Sequence, residues 1–306
     1  MTSKLVATIP FSREPLDVSP SGIPIFTRSD GYIENYDRIA TTHLKSLDEA
    51  GQNPFMSEQT WTAIDASTLK ILKKIVRPDD ALFDAGVGLG ALLDAFPDNP
   101  RYGIDVSLDY LNRTVNRGIK VSLARLEDIP FPDSSFDCVI STDVLEHVLD
   151  FYGATKEIVR VLKPGGHLVV RVPLEEDMKA YYDYEEFKFV HLRRFDLWSL
   201  RLHFERVLGL KYVLDEPVLP LYRGVSTSRA RPAANGEMIR NILDRLPSNM
   251  CGVDEFRAFT QMDADRFQAF MNAVAVQHPK IFSDLVDAVA GYLEINVVFR
   301  KADLEP

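Results

Sequence analysis

Short apolar runs alternate with helical patterns along the middle of the chain, which is typical of repeated βα units. The runs predict strands at residues 81–85, 101–106, 119–123, 136–142, 167–173 and 210–214, the last extending to 219. Between them, apolar residues at helical spacing predict helices at 89–96, 107–117, 151–162 and 195–208. The run at 136–142 is nearly continuous, as expected for a strand that is buried on both faces. The pattern therefore predicts an α/β fold around a largely parallel sheet.

The two ends of the chain differ from this middle part. Residues 1–56 contain no cysteine and many turn signals, such as Ser29-Asp30-Gly31, which predict an extension of hairpins and loops. Residues 224–290 have the pattern of an insertion, a polar loop followed by three helices, before a last strand at 294–300. We therefore expect a core of residues 57–223 and 291–306, with 224–290 as a helical insertion.

Composition and charge narrow the classes of function. Apolar residues form 46% of the 306 residues and charged residues 26%, which is ordinary for a globular protein. The 45 acidic against 35 basic side chains give a net charge of −10, which disfavours a nucleic-acid partner bound through its phosphates. The two cysteines predict neither a disulfide framework nor a zinc cluster. With no apolar run of membrane-spanning length and no start typical of a signal peptide, we expect a cytoplasmic protein without a membrane partner.

The sharpest local motif is a glycine-rich loop that follows the first predicted core strand. The loop is Asp84-Ala85-Gly86-Val87-Gly88-Leu89-Gly90, and it opens a helix. Glycines let a ligand approach the backbone closely, and the helix N-terminus offers N–H groups to an anionic part of it. Asp105, 21 residues after Asp84, ends the next strand, where a carboxylate can accept hydrogen bonds from both hydroxyls of a ribose. The alternative for Asp105 is to cap the helix that begins near Ser107.

Four further motifs follow in order along the chain. They are Leu126-Glu127-Asp128-Ile129-Pro130-Phe131-Pro132, Phe136-Asp137-Cys138-Val139-Ile140, Asp143-Val144-Leu145-Glu146-His147 and Leu162-Lys163-Pro164-Gly165-Gly166. Together with the loop pattern D-x-G-x-G-x-G, the series resembles class I S-adenosylmethionine-dependent methyltransferases, most closely those of the ubiquinone and menaquinone pathways. The resemblance covers about residues 60–220 and the final strand. It implies S-adenosylmethionine as cofactor and a Rossmann-like sheet of seven strands, six parallel and the seventh antiparallel, with helices on both faces.

The resemblance also assigns cofactor contacts to the loop and to the ends of the following strands. The implied roles are Gly86 and Gly88 at the methionyl part with Asp84 ordering the loop, Asp105 at the ribose, Val106, Leu126 and Glu127 at the adenine, and Thr142 and Asp143 beside the sulfonium. The family often has an aspartate where this chain has Arg125. Glu127 is explained equally well as a surface acid.

Three features bear on the methyl acceptor. In such folds the segment before the last strand emerges over the active site, so residues 224–290 are predicted to cap the acceptor pocket. Basic residues around the start of that segment, Arg223 and Arg229 among them, suit an anionic small molecule, and a solvated loop is the alternative. Tyr181 belongs to an aromatic run that either walls the same pocket or forms a lid packed on the core.

An oxygen acceptor loses a proton during methyl transfer, so a base within reach assists the reaction. His191 is the first candidate, because His191-Leu192-Arg193-Arg194-Phe195 resembles a histidine-containing segment of many relatives, and Asp177 is the second. A role in stabilising the loop is the alternative for His191, and we expect His147 to be a hydrogen-bonded structural histidine. Acids near the strand ends form no firm cation cage, so the sequence predicts no metal.

The sequence as a whole predicts a methyltransferase that acts on an oxygen of a small-molecule or sugar-type acceptor, as a monomer or homodimer. The stretch Ser141-Thr142-Asp143-Val144 lacks the Asn/Asp-Pro-Pro-Tyr/Phe pattern of enzymes that methylate exocyclic or amide nitrogens. Two alternatives remain open. One is a protein or RNA methyltransferase, and the other is a catalytically silent cofactor-binding module that works by interaction.

Overall fold

The structure is a computed structural model that describes residues 8–176, 178–182, 185–222, 236–250, 252–253 and 264–303. The chain divides into two units. The first comprises Met1–Glu175, Tyr184–Val218 and Glu294–Pro306, and the second comprises Glu176–Asp183 and Leu219–Leu293. The second unit therefore contains the predicted insertion at 224–290, together with a short segment from earlier in the chain.

Within the described residues, nine strands form one sheet. In chain order they are β1 Asp17–Val18, β2 Pro24–Ile25, β3 Leu82–Ala85, β4 Arg101–Asp105, β5 Lys120–Leu123, β6 Phe136–Thr142, β7 Leu162–Pro173, β8 Lys211–Tyr222 and β9 Ala290–Arg300. They lie side by side in the order β1-β2-β5-β4-β3-β6-β7-β9-β8. Strands β5, β4, β3, β6 and β7 are parallel, and β9 is antiparallel to β7. The predicted Rossmann-like sheet is confirmed, with two short strands beyond the expected seven.

Alternate residues of the central strands enter two separate hydrophobic clusters. On β3, Leu82 belongs to one cluster and Phe83 to the other. On β6, Cys138 and Ile140 belong to the cluster of Leu82, whereas Val139 belongs to that of Phe83. Because successive side chains of a strand point to opposite faces, the two clusters lie on the two faces of the sheet. Both faces are therefore covered, as a parallel sheet requires.

The α-helices of the described residues provide that cover in the first unit. They are α1 Gly31–Ala50, α2 Glu58–Ile75, α3 Ala91–Asp94, α4 Leu108–Thr114, α5 Phe151–Val161, α6 Met178–Tyr182, α7 Leu197–Arg201, α8 Gly236–Leu243, α9 Ala264–Gln277 and α10 Pro279–Val289, of which α6 and the last three belong to the second unit. Polar side chains cap several of their N-termini, as where Ser57 Oγ accepts from the N–H of Thr60 at the start of α2. None of these helices is both long enough and apolar enough to cross a lipid bilayer.

Two predicted helices differ in detail from the observed ones. The helix expected at 89–96 is only α3, because Gly90, with φ of 74°, forms its N-cap and the chain leaves the helix before Pro97. The helix expected at 195–208 is α7 followed by a π-helical turn at Leu202–Val207. Strands β3 and β4 still flank α3, and β8 still follows α7.

The N-terminal extension contains a long helix that its turn signals did not predict. The strands expected there are present as β1 and β2, and Ile25 pairs in parallel with Leu123, which adds them to the sheet. The expectation of loops over 31–50 was wrong, because α1 occupies those twenty residues. Asp30, taken as a turn residue, is its N-cap, and Asp30 Oδ1 accepts from the N–H groups of Tyr32 and Ile33 at 3.0 and 3.1 Å. Aspartate favours both turns and helix starts, so the local sequence does not separate the two.

Arg125 attaches the start of α1 to the loop that follows β5. Its guanidinium forms an ion pair with the Asp30 carboxylate and lies 4.9 Å from the ring centroid of Tyr32. The N–H of Ile33, helped by Arg125, holds the pKa of Asp30 below its usual value. Asp30 therefore both caps the helix and anchors it.

The second unit has a hydrophobic cluster of its own. Its buried members come from α8, α9, α10 and the residues that follow α8, and they are Ile239, Ile242, Leu243, Leu246, Val253, Phe270, Met271, Val274 and Leu285. Arg245 and Asp284 add an ion pair of 2.6 Å at the surface. The described parts of the predicted insertion thus include the helices α8, α9 and α10, and its role as a cap stays a prediction.

We expect Asp30→Ala to lower the free energy of unfolding by about 1–2 kcal/mol, because it removes an N-cap and an ion pair together. Asp48→Ala is the matched control, since Asp48 lies on the same helix and forms only a surface ion pair with Arg113 at 2.5 Å. Its loss should be below about 0.5 kcal/mol. Urea unfolding of both variants measures the difference, and equal losses would show that Asp30 does not anchor α1.

Candidate functional site

The loop Asp84–Gly90 makes a tight turn after β3. The N–H groups of Gly86 and Val87 both donate to the carbonyl oxygen of Ile104 at 2.9 Å, which ties the loop to β4. Gly86 and Gly88 have positive φ values of 100° and 47°. Such left-handed conformations favour glycine, so the sequence of the loop follows from its shape.

The two glycines that the sequence assigns to the cofactor are needed for different reasons. A Cβ on Gly86 would lie 2.2 Å from Cγ2 of Val144, so the protein itself fills the space that a side chain would take. A Cβ on Gly88 would have no atom of the described chain within 4 Å. Gly86 therefore permits close packing against the segment after β6, whereas Gly88 borders open space from which a ligand can approach the backbone.

Asp105, at the end of β4, has a carboxylate that two backbone donors hold in place. Oδ2 accepts from the N–H of Gly88 and Oδ1 from the N–H of Ser107, each at 2.9 Å. Each carboxylate oxygen has two lone pairs, so both oxygens can accept a further bond from a vicinal diol. Burial raises the pKa of Asp105, and the Ser107 and Gly88 donors partly offset that rise. The N-cap of α4 is Ser107, so capping does not explain Asp105.

Asp84 is a buried acid at the start of the loop. The residue is 3% exposed, and its Oδ1 has no hydrogen-bond partner among the described residues. Burial raises the pKa of Asp84 well above its ordinary value, Asp105 adds to the rise, and Arg171 opposes it. A buried polar atom left without a partner costs about 1–3 kcal/mol, and a donor or cation from a ligand would recover that cost.

The residues assigned to the adenine lie on the segments after β4 and β5. Leu126 is buried at the start of a 3₁₀ turn, Leu126–Asp128, while Val106 and Glu127 are half-buried. Glu127 Oε1 accepts from the N–H of Asp150 at 3.3 Å, so this acid links two loops. Arg125, where relatives often have aspartate, has its guanidinium on the start of α1. The side chain at position 125 therefore binds the N-cap residue of the N-terminal helix.

Arg171 on β7 joins four elements at the carboxyl edge of the sheet, and the motifs of the sequence did not reveal it. The residue is 1% exposed. Its Nη2 donates to Asp143 Oδ2 at 2.6 Å, and its Nη1 donates to Thr68 Oγ1 at 2.8 Å. Nη1 lies 3.1 Å from Asp65 Oδ1, and Nε lies 3.0 Å from Glu294 Oε2. Although burial disfavours its charge, Asp143, Glu294 and Asp65 raise the pKa of Arg171. A single arginine in an otherwise apolar predicted strand was the available signal.

Thr142 and Asp143 end β6 next to this arginine. Thr142 is half-buried, and Asp143 has a positive φ of 54°. The N–H of Asp143 donates to the carbonyl oxygen of Arg171 at 3.0 Å. A non-glycine residue in the left-handed region costs about 1–3 kcal/mol and persists where surrounding contacts fix it, often at functional sites. Here the side-chain and backbone bonds to Arg171 fix it.

His191 lies beside His147, with ring centroids 4.8 Å apart. His147 Nδ1 is 3.3 Å from the carbonyl oxygen of Val190, so this histidine has a backbone partner. Its Nε2 is 3.8 Å from Oε1 of Glu146, which is fully buried. The sequence proposed His191 for catalysis, but it did not connect this residue with the earlier Glu146-His147 pair.

Tyr181, Asp177, Arg223 and Arg229 are the other residues predicted for the acceptor. Tyr181 is half-buried on α6 in the second unit, where its hydroxyl donates to Oε1 of Glu176. Asp177, Arg223 and Arg229 lie outside the described residues. Their roles stay predictions.

The described residues fit an adenosyl-sulfonium ligand. Asp105 offers two acceptor positions to a ribose diol, Gly88 leaves space at the backbone, and Leu126 is an apolar residue on the neighbouring turn. Asp84 and Asp143 each have a buried Oδ1 without a hydrogen-bond partner in the described chain. Such carboxylates favour a cationic ligand over a neutral one.

Comparison with known proteins agrees with this fit. Residues 83–170 match the methyltransferase domain family. An uncharacterized protein of Methanocaldococcus jannaschii is 34% identical over 122 residues, which are 40% of this chain and 58% of that protein. The demethylmenaquinone methyltransferase of Corynebacterium urealyticum is 28% identical over 161 residues, which are 52% of this chain and 63% of the enzyme. The chain thus spans somewhat more than half the length of these relatives.

Solved structures share the fold at low sequence identity. The phosphoethanolamine N-methyltransferase 2 of Haemonchus contortus, in complex with S-adenosyl-L-methionine, has a TM-score of 0.53 and 15% identity, covering 92% of this chain and 62% of that one. The [4+2]-cyclase SpnF has a TM-score of 0.51 and 19% identity, covering 92% of this chain and 99% of that one. These similarities establish the fold. Together with the family match and the loop–Asp105 geometry, they show that residues 83–170 belong to a class I S-adenosylmethionine-dependent methyltransferase domain.

Proposed function

We propose that this chain is an enzyme that transfers the methyl group of S-adenosylmethionine to an oxygen of a small molecule. The observation that carries the proposal is the Asp105 carboxylate, which Gly88 and Ser107 hold at the edge of the sheet in the position suited to a ribose. The named relatives support the acceptor class. The corynebacterial protein is named for demethylmenaquinone and the nematode protein for phosphoethanolamine, and both are small molecules.

The chain's own residues contribute by binding and positioning. S-adenosylmethionine supplies a methyl group on a positively charged sulfur. The buried carboxylates of Asp84 and Asp143 favour that charge, and Arg171 keeps Asp143 in place. The remaining requirement is to hold the acceptor oxygen in line with the methyl group and to exclude water.

The residues proposed for the acceptor are His191 and Asp177 for its proton, and Arg223, Arg229 and Tyr181 for binding, with residues 224–290 as a cap. Two arginines suit a phosphate or carboxylate on the acceptor. His191 has the further support of its contact with His147, a second imidazole. For the other residues the support is the sequence pattern alone.

A cofactor-binding protein that does not transfer methyl groups is the second candidate. The observation that favours it is the shared fold of the [4+2]-cyclase SpnF, whose name denotes a different reaction. The deciding experiment incubates the full chain with S-adenosylmethionine and a panel of quinol, sugar and phosphorylated acceptors. We expect S-adenosylhomocysteine and a methylated product to accumulate together. Tight cofactor binding without turnover on any acceptor would support the second candidate.

We expect Asp105→Asn to weaken binding of both S-adenosylmethionine and S-adenosylhomocysteine about 10–100-fold, because charge-assisted hydrogen bonds are worth about 1.5–3 kcal/mol each. Calorimetric titration measures both affinities. Asp109→Asn is the control, since Asp109 is an exposed acid four residues further on that accepts from Thr41 Oγ1 at 3.1 Å. Unchanged affinity in Asp105→Asn would remove the main support for the proposed cofactor site.

The raised pKa of Asp84 predicts that cofactor affinity depends on pH. A raised pKa keeps the proton on this carboxyl to a higher pH, so the negative charge that attracts the cationic cofactor appears only as pH rises through the folded value. S-adenosylmethionine affinity should therefore increase with pH in the wild type. Asp84→Asn should flatten this increase. Because titration of the cofactor itself affects wild type and variant equally, the difference between their pH–affinity profiles reports on Asp84 alone. Parallel profiles would contradict the prediction.

We expect His191→Ala to lower kcat by about 10²–10⁴-fold, the usual contribution of a group that assists proton transfer. The affinity for S-adenosylhomocysteine should not change, since no cofactor contact is assigned to His191. His203→Gln is the matched control, because His203 is also half-buried and its Nε2 bonds Thr155 Oγ1 at 2.7 Å. Steady-state kinetics with the acceptor found in the panel test this, and a normal kcat in His191→Ala would exclude the catalytic role.

A further inference from the structure

A cluster of three metal-ligand side chains lies on the segments that follow β6 and precede α7. Glu146, His147 and His191 each offer one ligand atom, and these atoms all lie within 4.8 Å of one another. We propose that Glu146, His147 and His191 form a binding site for a first-row divalent transition-metal cation. The prediction of no metal was based on the acids at the strand ends and left out these two histidines.

The backbone holds the two segments of the cluster together. The N–H of Leu192 donates to the carbonyl oxygen of Glu146 at 2.8 Å, and Arg193 Nη1 donates to the carbonyl oxygen of Leu145 at 2.7 Å. On the first segment, the N–H of His147 donates to the carbonyl oxygen of Val144 at 2.9 Å. The bonds from Leu192 and Arg193 join residues 46 and 48 positions apart. The ligands are therefore carried by an ordered scaffold, which a specific metal site requires.

His147 is oriented as metal-bound histidines usually are. One ring nitrogen, Nδ1, is 3.3 Å from the carbonyl oxygen of Val190, and the other, Nε2, is 3.8 Å from Glu146 Oε1. Donation from Nδ1–H to a carbonyl places the lone pair on Nε2, towards the carboxylate, where a cation would lie.

The surroundings of the cluster keep it rigid and enclosed. Tyr36 on α1 donates from its hydroxyl to the carbonyl oxygen of Phe189 at 2.6 Å, and its ring meets the His147 ring edge-on at 5.6 Å. Glu146 is fully buried, and the Nη1 and Nη2 atoms of Arg193 donate to the carbonyl oxygens of Leu145 and Leu149. A cation bound by the three ligand atoms would lie against the buried Glu146 carboxylate, whose negative charge attracts it.

The ligand set indicates which cations fit. Two imidazoles and one carboxylate suit Zn²⁺, Co²⁺, Mn²⁺ and Fe²⁺, whereas Mg²⁺ prefers oxygen ligands. Ligand atoms around a tetrahedral Zn²⁺ stand about 3.4 Å apart, given Zn–N distances of about 2.0–2.1 Å. The present spacings of up to 4.8 Å are wider, so the ligand side chains would move closer together on binding the ion. Three protein ligands leave a further coordination position, as in catalytic rather than structural sites.

The use of the cation rests on the proposed function, whereas the site itself does not. A divalent cation lowers the pKa of an oxygen that it binds, which is the help that a hydroxyl acceptor needs. His191 would then act on the acceptor proton through the cation.

The test is calorimetric titration of the chelator-treated full chain with Zn²⁺ in the absence of S-adenosylmethionine, with Co²⁺ absorption spectra as a second readout. We expect one equivalent of Zn²⁺ to bind, Mg²⁺ to bind far more weakly, and bound Co²⁺ to show visible bands of nitrogen and oxygen ligands. His191→Ala and Glu146→Gln should each weaken Zn²⁺ binding at least about 100-fold, whereas His203→Gln should not. Since Glu146 is buried, thermal unfolding of each variant checks that it still folds. If Glu146→Gln does not fold, the result for His191→Ala alone decides whether the metal site exists.

The outcomes separate the metal site from the proposed function. Absence of Zn²⁺ binding in the wild type, or equal losses in His191→Ala and His203→Gln, would overturn the site. If the chain binds no Zn²⁺ and methyl transfer continues unchanged after chelation, the proposed metal site is contradicted. The proposed methyltransferase function is then still supported. Zn²⁺ binding that His191→Ala abolishes, in a chain that transfers no methyl group, would support the site and contradict the function.

Discussion

A single buried guanidinium organises the carboxyl edge of the sheet. Arg171 lies on β7, and its bonds reach the acid after β6, the side chains of α2 and the acid on β9. A buried charge is stable only when its partners are in place, and loss of one partner of a buried pair costs about 3–5 kcal/mol. The four elements therefore have to meet at this point for the fold to form. The same bonds hold Asp143 in its left-handed conformation.

This arrangement divides the edge between two kinds of chemistry. On the β3–β4 side, glycines and fixed carboxylates offer backbone space and hydrogen-bond acceptors, which suit a nucleoside with a cationic chain. Beyond β6, two imidazoles and a buried carboxylate lie together, which suits a cation or the proton of an acceptor. Asp143 lies between these groups in the chain, three residues before Glu146. These groups lie at one edge because the carboxyl ends of parallel strands all point to it.

The N-terminal extension shows how a residue can leave a family pattern for a structural reason. Arg125 follows β5, next to the segment assigned to the adenine, and its guanidinium pairs with the N-cap of α1. Tyr36 on the same helix contacts His147 through its ring. Helix α1 therefore contacts both the segment after β5, through Arg125, and the segment after β6, through His147. Its helical nature was missed because Asp30 and Gly31 favour a turn as much as a helix start.

The sequence by itself determined the order of the core strands, the glycine loop and the position of Asp105. Each of these depends on local periodicity or on a backbone conformation that only certain residues adopt, so neighbouring residues carry the information. The tertiary structure alone decided the Arg171 network, the pairing of Glu146 and His147 with His191, and the anchoring of α1 by Arg125. In these cases the partners are separated by dozens to more than a hundred residues, and no local pattern records which of them meet. The physical reason is that such contacts arise from strand crossover and helix packing, which depend on the whole chain.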